Sequence, residues 1–216
     1  MFQLLVAVKS SNKAKNDGAH DLIRGTWGNA IRGKATLKFF VAAETNGRSA
    51  HLYKSDEIAV DAPDHNESAV FLTRAICQYV MSKNIDHVLI VNSDSCVFPN
   101  RIWIQHYEVA DYAGDFDNWS DVGPQSFVGP GGGVEVMERC YSWAKNPGYF
   151  LSRNAAFEIA DLFPKDSKYI LGSNDDVWVG QVLGPLAAKG DIISMPLEKP
   201  VAETTTDMEK TWKEGS

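Results

Sequence analysis

His87-Val88-Leu89-Ile90-Val91-Asn92-Ser93-Asp94-Ser95-Cys96-Val97-Phe98 is an apolar run that passes through two small polar residues into a carboxylate, then into a second short apolar segment. An apolar run without alternation suits a strand buried on both faces, the habit of parallel sheets covered by helices. In such sheets ligands bind outside the carboxyl ends of the strands, so Asp94 falls where a divalent cation or a sugar hydroxyl is held. An ordinary turn aspartate fits the same position, and the rest of the chain has to decide.

Working outward, strands and helices alternate. Phe2–Val8 and Leu37–Ala42 read as buried strands, separated by a polar loop and a helix around Asp21–Ile31. Glu57–Val60 is a short strand. Over Ser68–Met81 the residues Phe71, Leu72, Ala75, Ile76, Tyr79 and Val80 fall at helical spacing, and this helix feeds the strand at Val88–Val91. The alternation predicts an α/β fold with a mainly parallel central sheet and helices on both faces. Beyond Asp94 a helix is expected over Asn100–Tyr112, and a long loop over Gly114–Gly133. There follow a short strand at Gly148–Ser152 ending in a helix cap, a helix over Asn154–Leu162, and a last helix from Ser173 or Asn174 to about Ala188. Residues from Glu203 onward read as an irregular polar tail.

Composition bounds the answer. The 216 residues, 44% hydrophobic and 23% charged, fit one soluble globular domain. A net charge of −7 repels phosphate backbones. The apolar Met1–Val8 is too short for a signal segment, and no stretch is long enough to span a membrane. Cys77, Cys96 and Cys140 lack metal-finger spacing and favour a reducing compartment over a disulfide scaffold. The five histidines show no ligand spacing, which argues against a zinc enzyme.

Three constellations can carry chemistry. A strand-end aspartate such as Asp94, with Ser95 beside it, suits Mn²⁺ or Mg²⁺, but two positions on stands Cys96, a soft ligand poorly matched to those ions. Asp175 and Asp176, followed by Trp178 and flanked by Gly172 and Gly180, are either helix-dipole complements or a general base beside an acceptor hydroxyl. Arg24, in Ile23-Arg24-Gly25-Thr26-Trp27-Gly28, can grip a diphosphate bidentately, or can be a surface helix arginine.

Taken in order, these segments resemble the inverting β1,3-glycosyltransferases of the galactosyltransferase and Fringe kind. The matching pieces are Ser10, Ile23-Arg24-Gly25-Thr26-Trp27, Phe40-Val41 and the helix to Met81. They continue with Asp94-Ser95-Cys96-Val97-Phe98, Gly148-Tyr149-Phe150-Leu151-Ser152 and Asp175-Asp176-Val177-Trp178-Val179-Gly180. The resemblance spans roughly Leu4 to Leu186 and implies a GT-A fold in a single domain over 1–202. Within it, 1–112 would bind the nucleotide sugar and 113–202 would bind the acceptor and carry catalysis, with 203–216 as tail.

It also implies a nucleotide-sugar donor, UDP-linked, and the roles that go with it. Arg24 and the loop near Ser10 would sit beside the diphosphate. Asp94 and Ser95 would face the nucleotide sugar, and Asp94 with the Cys96 position would hold Mn²⁺ or Mg²⁺. Asp176 would be the base, with Asp175 in the place of the family's glutamate. Trp178, Tyr149 and Trp143 would stack on sugar. The acceptor would be a glycan, a lipid-linked saccharide or a hydroxylated base in DNA. Cys96 replaces the family's metal-binding aspartate, so Asp94 holds the metal alone or basic groups take its place. Asn66 stands where the family usually has an aspartate. The absence of the anchor that Golgi members carry suggests a bacterial or viral enzyme acting in the cytoplasm. A competing class is a binding module that kept the fold and lost its metal site.

Overall fold

The computed structural model describes residues 2–43, 53–62, 68–117, 125–128, 134–137, 143–161 and 175–204. Along the chain run β1 (Leu4–Ser11), α1 (Asn12–Asn16), α2 (Ala19–Gly25), α3 (Trp27–Ala30), β2 (Thr36–Ala43), β3 (Glu57–Asp61), α4 (Ala69–Lys83), β4 (His87–Asn92), β5 (Ser95–Val97) and α5 (Pro99–Ile102). After a 3₁₀ turn at Tyr107–Val109 come β6 (Tyr112–Asp117), β7 (Gln125–Val128), β8 (Val134–Met137), β9 (Trp143–Ser152), α6 (Arg153–Asp161), α7 (Asp175–Lys189), β10 (Ser194–Pro196) and β11 (Ala202–Thr204).

Seven strands form one sheet in the order β10-β6-β9-β4-β1-β2-β3. β1 lies parallel to β2 and β4, β2 to β3, and β6 to β10; only β9 runs antiparallel, between β4 and β6. The expected mainly parallel α/β sheet is what forms. The unbroken apolar runs are explained by burial on both faces. Leu5 and Ala7 of β1, Phe40 and Ala42 of β2, and Val88 and Ile90 of β4 face one core, shared with α4, α6 and α7. Their alternates Leu4, Val6, Val8, Phe39, Val41, Leu89 and Val91 face a second core with Ile23, Trp27, Ile31 and Ile102.

Several expectations are corrected. The single helix over Asp21–Ile31 breaks in two at Thr26, whose hydroxyl donates to the Leu22 carbonyl at 2.7 Å. The helix over Asn100–Tyr112 stops at Ile102, and His106 adopts a left-handed backbone with φ 52°. Tyr112 is a strand residue because it pairs with Leu151 on β9, a contact that local spacing does not encode. The expected loop over Gly114–Gly133 contains the end of β6 and β7, which pairs antiparallel with β8. Gly129 to Gly133 lie outside the described residues. The tail expected from Glu203 begins instead as β11, which pairs antiparallel with β5 and buries Ala202. Helices α6 and α7 fall where expected, and Ser152 Oγ accepts from Ala155 N at the start of α6. The proposed caps Ser173 and Asn174 lie outside the described residues. Among the described residues no helix is long and apolar enough to cross a membrane.

Candidate functional site

The carboxyl ends of β1 and β4 lie side by side, with Lys9 paired to Asn92. β4 turns at Ser93 and Asp94 into β5. The turn is tied to β1 by Ser93 N–H donating to the Lys9 carbonyl at 2.9 Å. Asp94 is exposed at this turn, whereas Ser95 is buried and its Oγ has no hydrogen-bond partner. Gly148 on β9 makes room for this corner: a Cβ there would meet Val91 Cγ1 at 3.1 Å and Ala202 Cβ at 3.5 Å.

Lys9 joins the turn to α7. Its carbonyl holds Ser93, and its ammonium pairs with Asp175 Oδ2; both side chains are 4% exposed. The same carboxylate oxygen accepts from Thr73 Oγ1 at 2.8 Å and from the Tyr149 hydroxyl at 3.0 Å. Burial pushes the Asp175 pKa up, but the Lys9 charge and the three donated hydrogen bonds outweigh it, and the net shift is downward. Asp175 is therefore an ionised strut between β1, α4, β9 and the first turn of α7. Its neighbour Asp176 is 6% exposed, in the first turn of α7, and its Oδ1 accepts from Val177 N–H at 2.9 Å. Both carboxylates thus stand in the first turn of α7, where they complement the helix dipole.

A second cluster surrounds Ser10. Its Oγ lies 2.8 Å from His20 Nε2, and His20 Nδ1 lies 2.9 Å from Glu57 Oε1. Glu57 also receives Lys15 at 2.8 Å, Arg24 Nη2 at 2.7 Å and Lys54 N–H at 3.1 Å. Burial opposes the Glu57 charge, yet His20, Lys15, Arg24 and the Lys54 amide hold its pKa far below the usual carboxylate range. Arg24 Nε and Nη2 reach Asp56 at 2.8 Å each, and Nη1 reaches Asp21 at 2.7 Å. The hydrogen bonds to Asp56 lead in raising the Arg24 pKa.

These contacts bear on two of the expected roles. Arg24, expected beside a diphosphate, donates here to the three carboxylates Asp21, Asp56 and Glu57. Tyr149 is fully buried with its hydroxyl on Asp175, so it is a strut and not a platform for a sugar. Trp178 is half-buried against Val70, and the Trp143 side chain lies outside what is described. The residues that sequence reasoning missed are Lys9, His20, Glu57 and Thr73. Lys9 and Thr73 each put a polar group on an apolar face, Lys9 in alternation with Leu5 and Ala7, Thr73 on the buried stripe of α4. That mismatch was the available signal.

The described residues do not fit a hard-cation site. No three His, Cys, Asp or Glu side chains among them converge to hold a metal ion. Burial, then the Glu203 charge, raises the Cys96 thiol pKa. Glu203, opposite Cys96 in register, is paired with Arg101 at 3.2 Å.

No protein-family profile and no curated protein matches this sequence. Among solved structures the chain is similar to a protein of Desulfovibrio desulfuricans G20 whose name provisionally assigns it as a nucleotide-diphospho-sugar transferase. Identity is 12%, the match covers 91% of this chain and 80% of that one, and the TM-score is 0.50. At that identity the likeness shows a shared fold and does not single out the galactosyltransferase and Fringe kind.

Proposed function

We propose that this chain is a nucleotide-sugar-dependent glycosyltransferase, inverting at the anomeric carbon, with Asp176 as general base and UDP as the nucleotide. The observation that carries the reading is the convergence on Lys9. Its side chain fixes Asp175 at the head of α7, and its carbonyl fixes the turn that holds Asp94 and Ser95. One residue thus ties the candidate base to the candidate donor site at the carboxyl edge of a mainly parallel sheet, where such sheets bind ligands.

In the proposed reaction the Asp176 carboxylate takes the proton of the acceptor hydroxyl as the hydroxyl oxygen attacks the anomeric carbon. The bond from that carbon to the phosphate oxygen breaks, and the electron pair leaves with the nucleoside diphosphate. Asp175 is not a second base: ionised and triply bonded, it sets the position of α7 and so of Asp176. No step is routed through a cation.

The test is a thermal-shift screen of nucleoside diphosphates and their sugars, with and without Mn²⁺, followed by turnover with wild type and Asp176→Asn. Stabilisation by a nucleoside diphosphate supports the reading; none by any nucleotide sinks it. Asp176→Asn should lower kcat by about 10²–10⁴-fold, the span of a lost general base. Equal turnover removes Asp176 from that role. Nucleotide binding without any transfer or hydrolysis would favour the non-catalytic module, the reading that Cys96 in the place of a metal-binding aspartate supports.

A further inference from the structure

Helix α6 carries an aromatic side chain that the proposed reaction does not use. Ala155, Ala156 and Ile159 turn into the core, and the other face of the helix presents Phe157, 50% exposed. One exposed aromatic is ordinary by itself. What sets this one apart is the ground on either side of it. A cavity of about 500 Å³ lies between α4 and α6, walled by Gln78, Met81 and Ser82 on one helix and by Phe157, Ala160 and Asp161 on the other. A second, of about 510 Å³, shares Met81 and Phe157 and continues to Arg153, Glu158 and Asp191. The ring stands at the rim of both, a knob beside two hollows. α6 starts at the end of the sheet where β4 begins, since Ser152 pairs with His87. The face therefore stands apart from the Asp94 turn, which follows the other end of β4.

The charges along α6 say what the partner is. The helix runs from Arg153 to Asp161 with Phe157 as its middle residue. Arg153, Phe157 and Asp161 recur at i, i+4 and i+8, so they form one row on one face. The row reads cation, aromatic, anion, and at 1.5 Å per residue it is about 12 Å long. Turned about a two-fold axis through Phe157 and laid antiparallel on itself, it sets each Arg153 against the partner's Asp161, with the rings in the middle. A self-complementary row is what a two-fold interface requires. A uniformly acidic or basic partner would match one end and be repelled by the other. Arg153 is held beside the end of α4 by donating to Asn84 Oδ1, so the cation is fixed at its end of the row. We propose that the α4–α6 face is the two-fold interface of a homodimer. Each Phe157 ring sits in the partner's cavity between α4 and α6, where Met81 supplies an adaptable apolar wall, and each Arg153 pairs with the partner's Asp161. Exposed ion pairs contribute little to affinity, so the pairs set the register. The buried rings supply the attraction that overcomes the mutual repulsion of two chains of net charge −7. The proposal is independent of the nucleotide-sugar reading.

The experiment is sedimentation velocity on the full chain over a series of concentrations. Wild type should pass from monomer to dimer as the concentration rises. Phe157→Ala should weaken the dimer about tenfold or more, the loss of a central aromatic anchor. The charges test the register. Arg153→Glu alone sets carboxylate against carboxylate at both ends of the interface, and Asp161→Arg alone sets guanidinium against guanidinium. Each should weaken the dimer about tenfold. In an equimolar mixture of these two variants every pair across the interface is again opposite in sign, and the dimer should return as the mixed species. An apolar patch that associates without register would not distinguish the mixture from its parts. Circular dichroism checks that each variant is folded. If Arg153→Glu, which also loses Asn84, is not, Phe157→Ala and Asp161→Arg carry the test. Wild type that stays monomeric at every concentration overturns the proposal and leaves the face to a different partner. A dimer that Phe157→Ala leaves intact overturns it by placing the interface elsewhere. A mixture no more dimeric than its two components overturns the two-fold register and the proposal with it.

Discussion

Replacing Lys9 with Met tests whether the Lys9–Asp175 pair is the strut that holds the head of α7. Met keeps the aliphatic bulk of lysine and removes only the charge. Asp175, 3% exposed, would then be a buried carboxylate with no counter-charge. Removing one partner of a buried ion pair costs about 3–5 kcal/mol. Here Thr73 at 2.8 Å and Tyr149 at 3.0 Å still donate to the same oxygen, which places the expected loss at the lower end, about 3 kcal/mol. For a chain of this size that is a drop in Tm of roughly 6–12 °C. Adding Asp175→Asn removes the stranded charge while keeping a carbonyl for both hydroxyls, so the double variant should be more stable than Lys9→Met alone.

The pH dependence supplies an independent sign. In wild type the folded pKa of Asp175 lies below its model value of 3.8, so its contribution to stability is complete above that pH and is lost as pH falls through the folded value. In Lys9→Met the burial that raises the pKa has lost its chief opponent. The variant's Asp175 then prefers to be protonated, and the gap between wild type and variant narrows as pH is lowered. Urea unfolding between pH 3.5 and 8 measures both effects. A cost under about 1 kcal/mol at pH 7, a gap that widens on acidification, or a double variant less stable than Lys9→Met refutes the strut.

Arg24→Met should lower stability by about 2–3 kcal/mol through the lost hydrogen bonds to Asp56 and Glu57, while changing the affinity for UDP less than twofold; a loss of affinity beyond tenfold in a folded variant would restore Arg24 to the diphosphate. Glu57 has a folded pKa depressed below its model value of 4.5; its stabilisation is present above that pH and falls away below it, so Glu57→Gln should flatten the acid limb of the stability–pH curve measured by urea unfolding. Mn²⁺ should not increase the thermal shift given by UDP, because the described residues assemble no group of three His, Cys, Asp or Glu around a cation; an added shift reversed by EDTA would contradict this. Gly114→Ala should cost about 1–3 kcal/mol by overpacking, since the new Cβ would stand 2.3 Å from Ala144 Cβ at the irregularity between β6 and β9; thermal denaturation reads it directly.

The division between what the sequence declared and what it hid follows the range of the interactions. The apolar runs at Leu4–Val8, Phe39–Ala43 and Val88–Val91 predict a doubly covered parallel sheet because burial on both faces is written into consecutive residues. Tyr112 shows the opposite case: its strand exists because Leu151 on β9 pairs with it, and nothing within ten residues of it says so. The same holds for β11, which looks like a polar tail until β5 gives it a partner. At the candidate site the carboxylates were legible as Asp94, Asp175 and Asp176, since strand ends and helix starts can be read locally. Their partners were not. Lys9 meets Asp175 across 166 residues, Thr73 meets it across 102, and His20 meets Glu57 across 37.

That asymmetry explains why Arg24 and Ser10 look available to a phosphate in the sequence. A cation or hydroxyl that lacks a local partner looks available, and availability can be judged only when every carboxylate within reach is placed. Once Asp56 and Glu57 are set beside Arg24, and His20 beside Ser10, both side chains have partners within the fold. Ser10 is on β1 and Ser95 opens β5, just past the turn that follows β4 and is tied to β1 through the Lys9 carbonyl. Residues that look in the sequence like the contacts of one ligand are first contacts of the fold with itself, and the polar network selects for a ligand by what those contacts leave over.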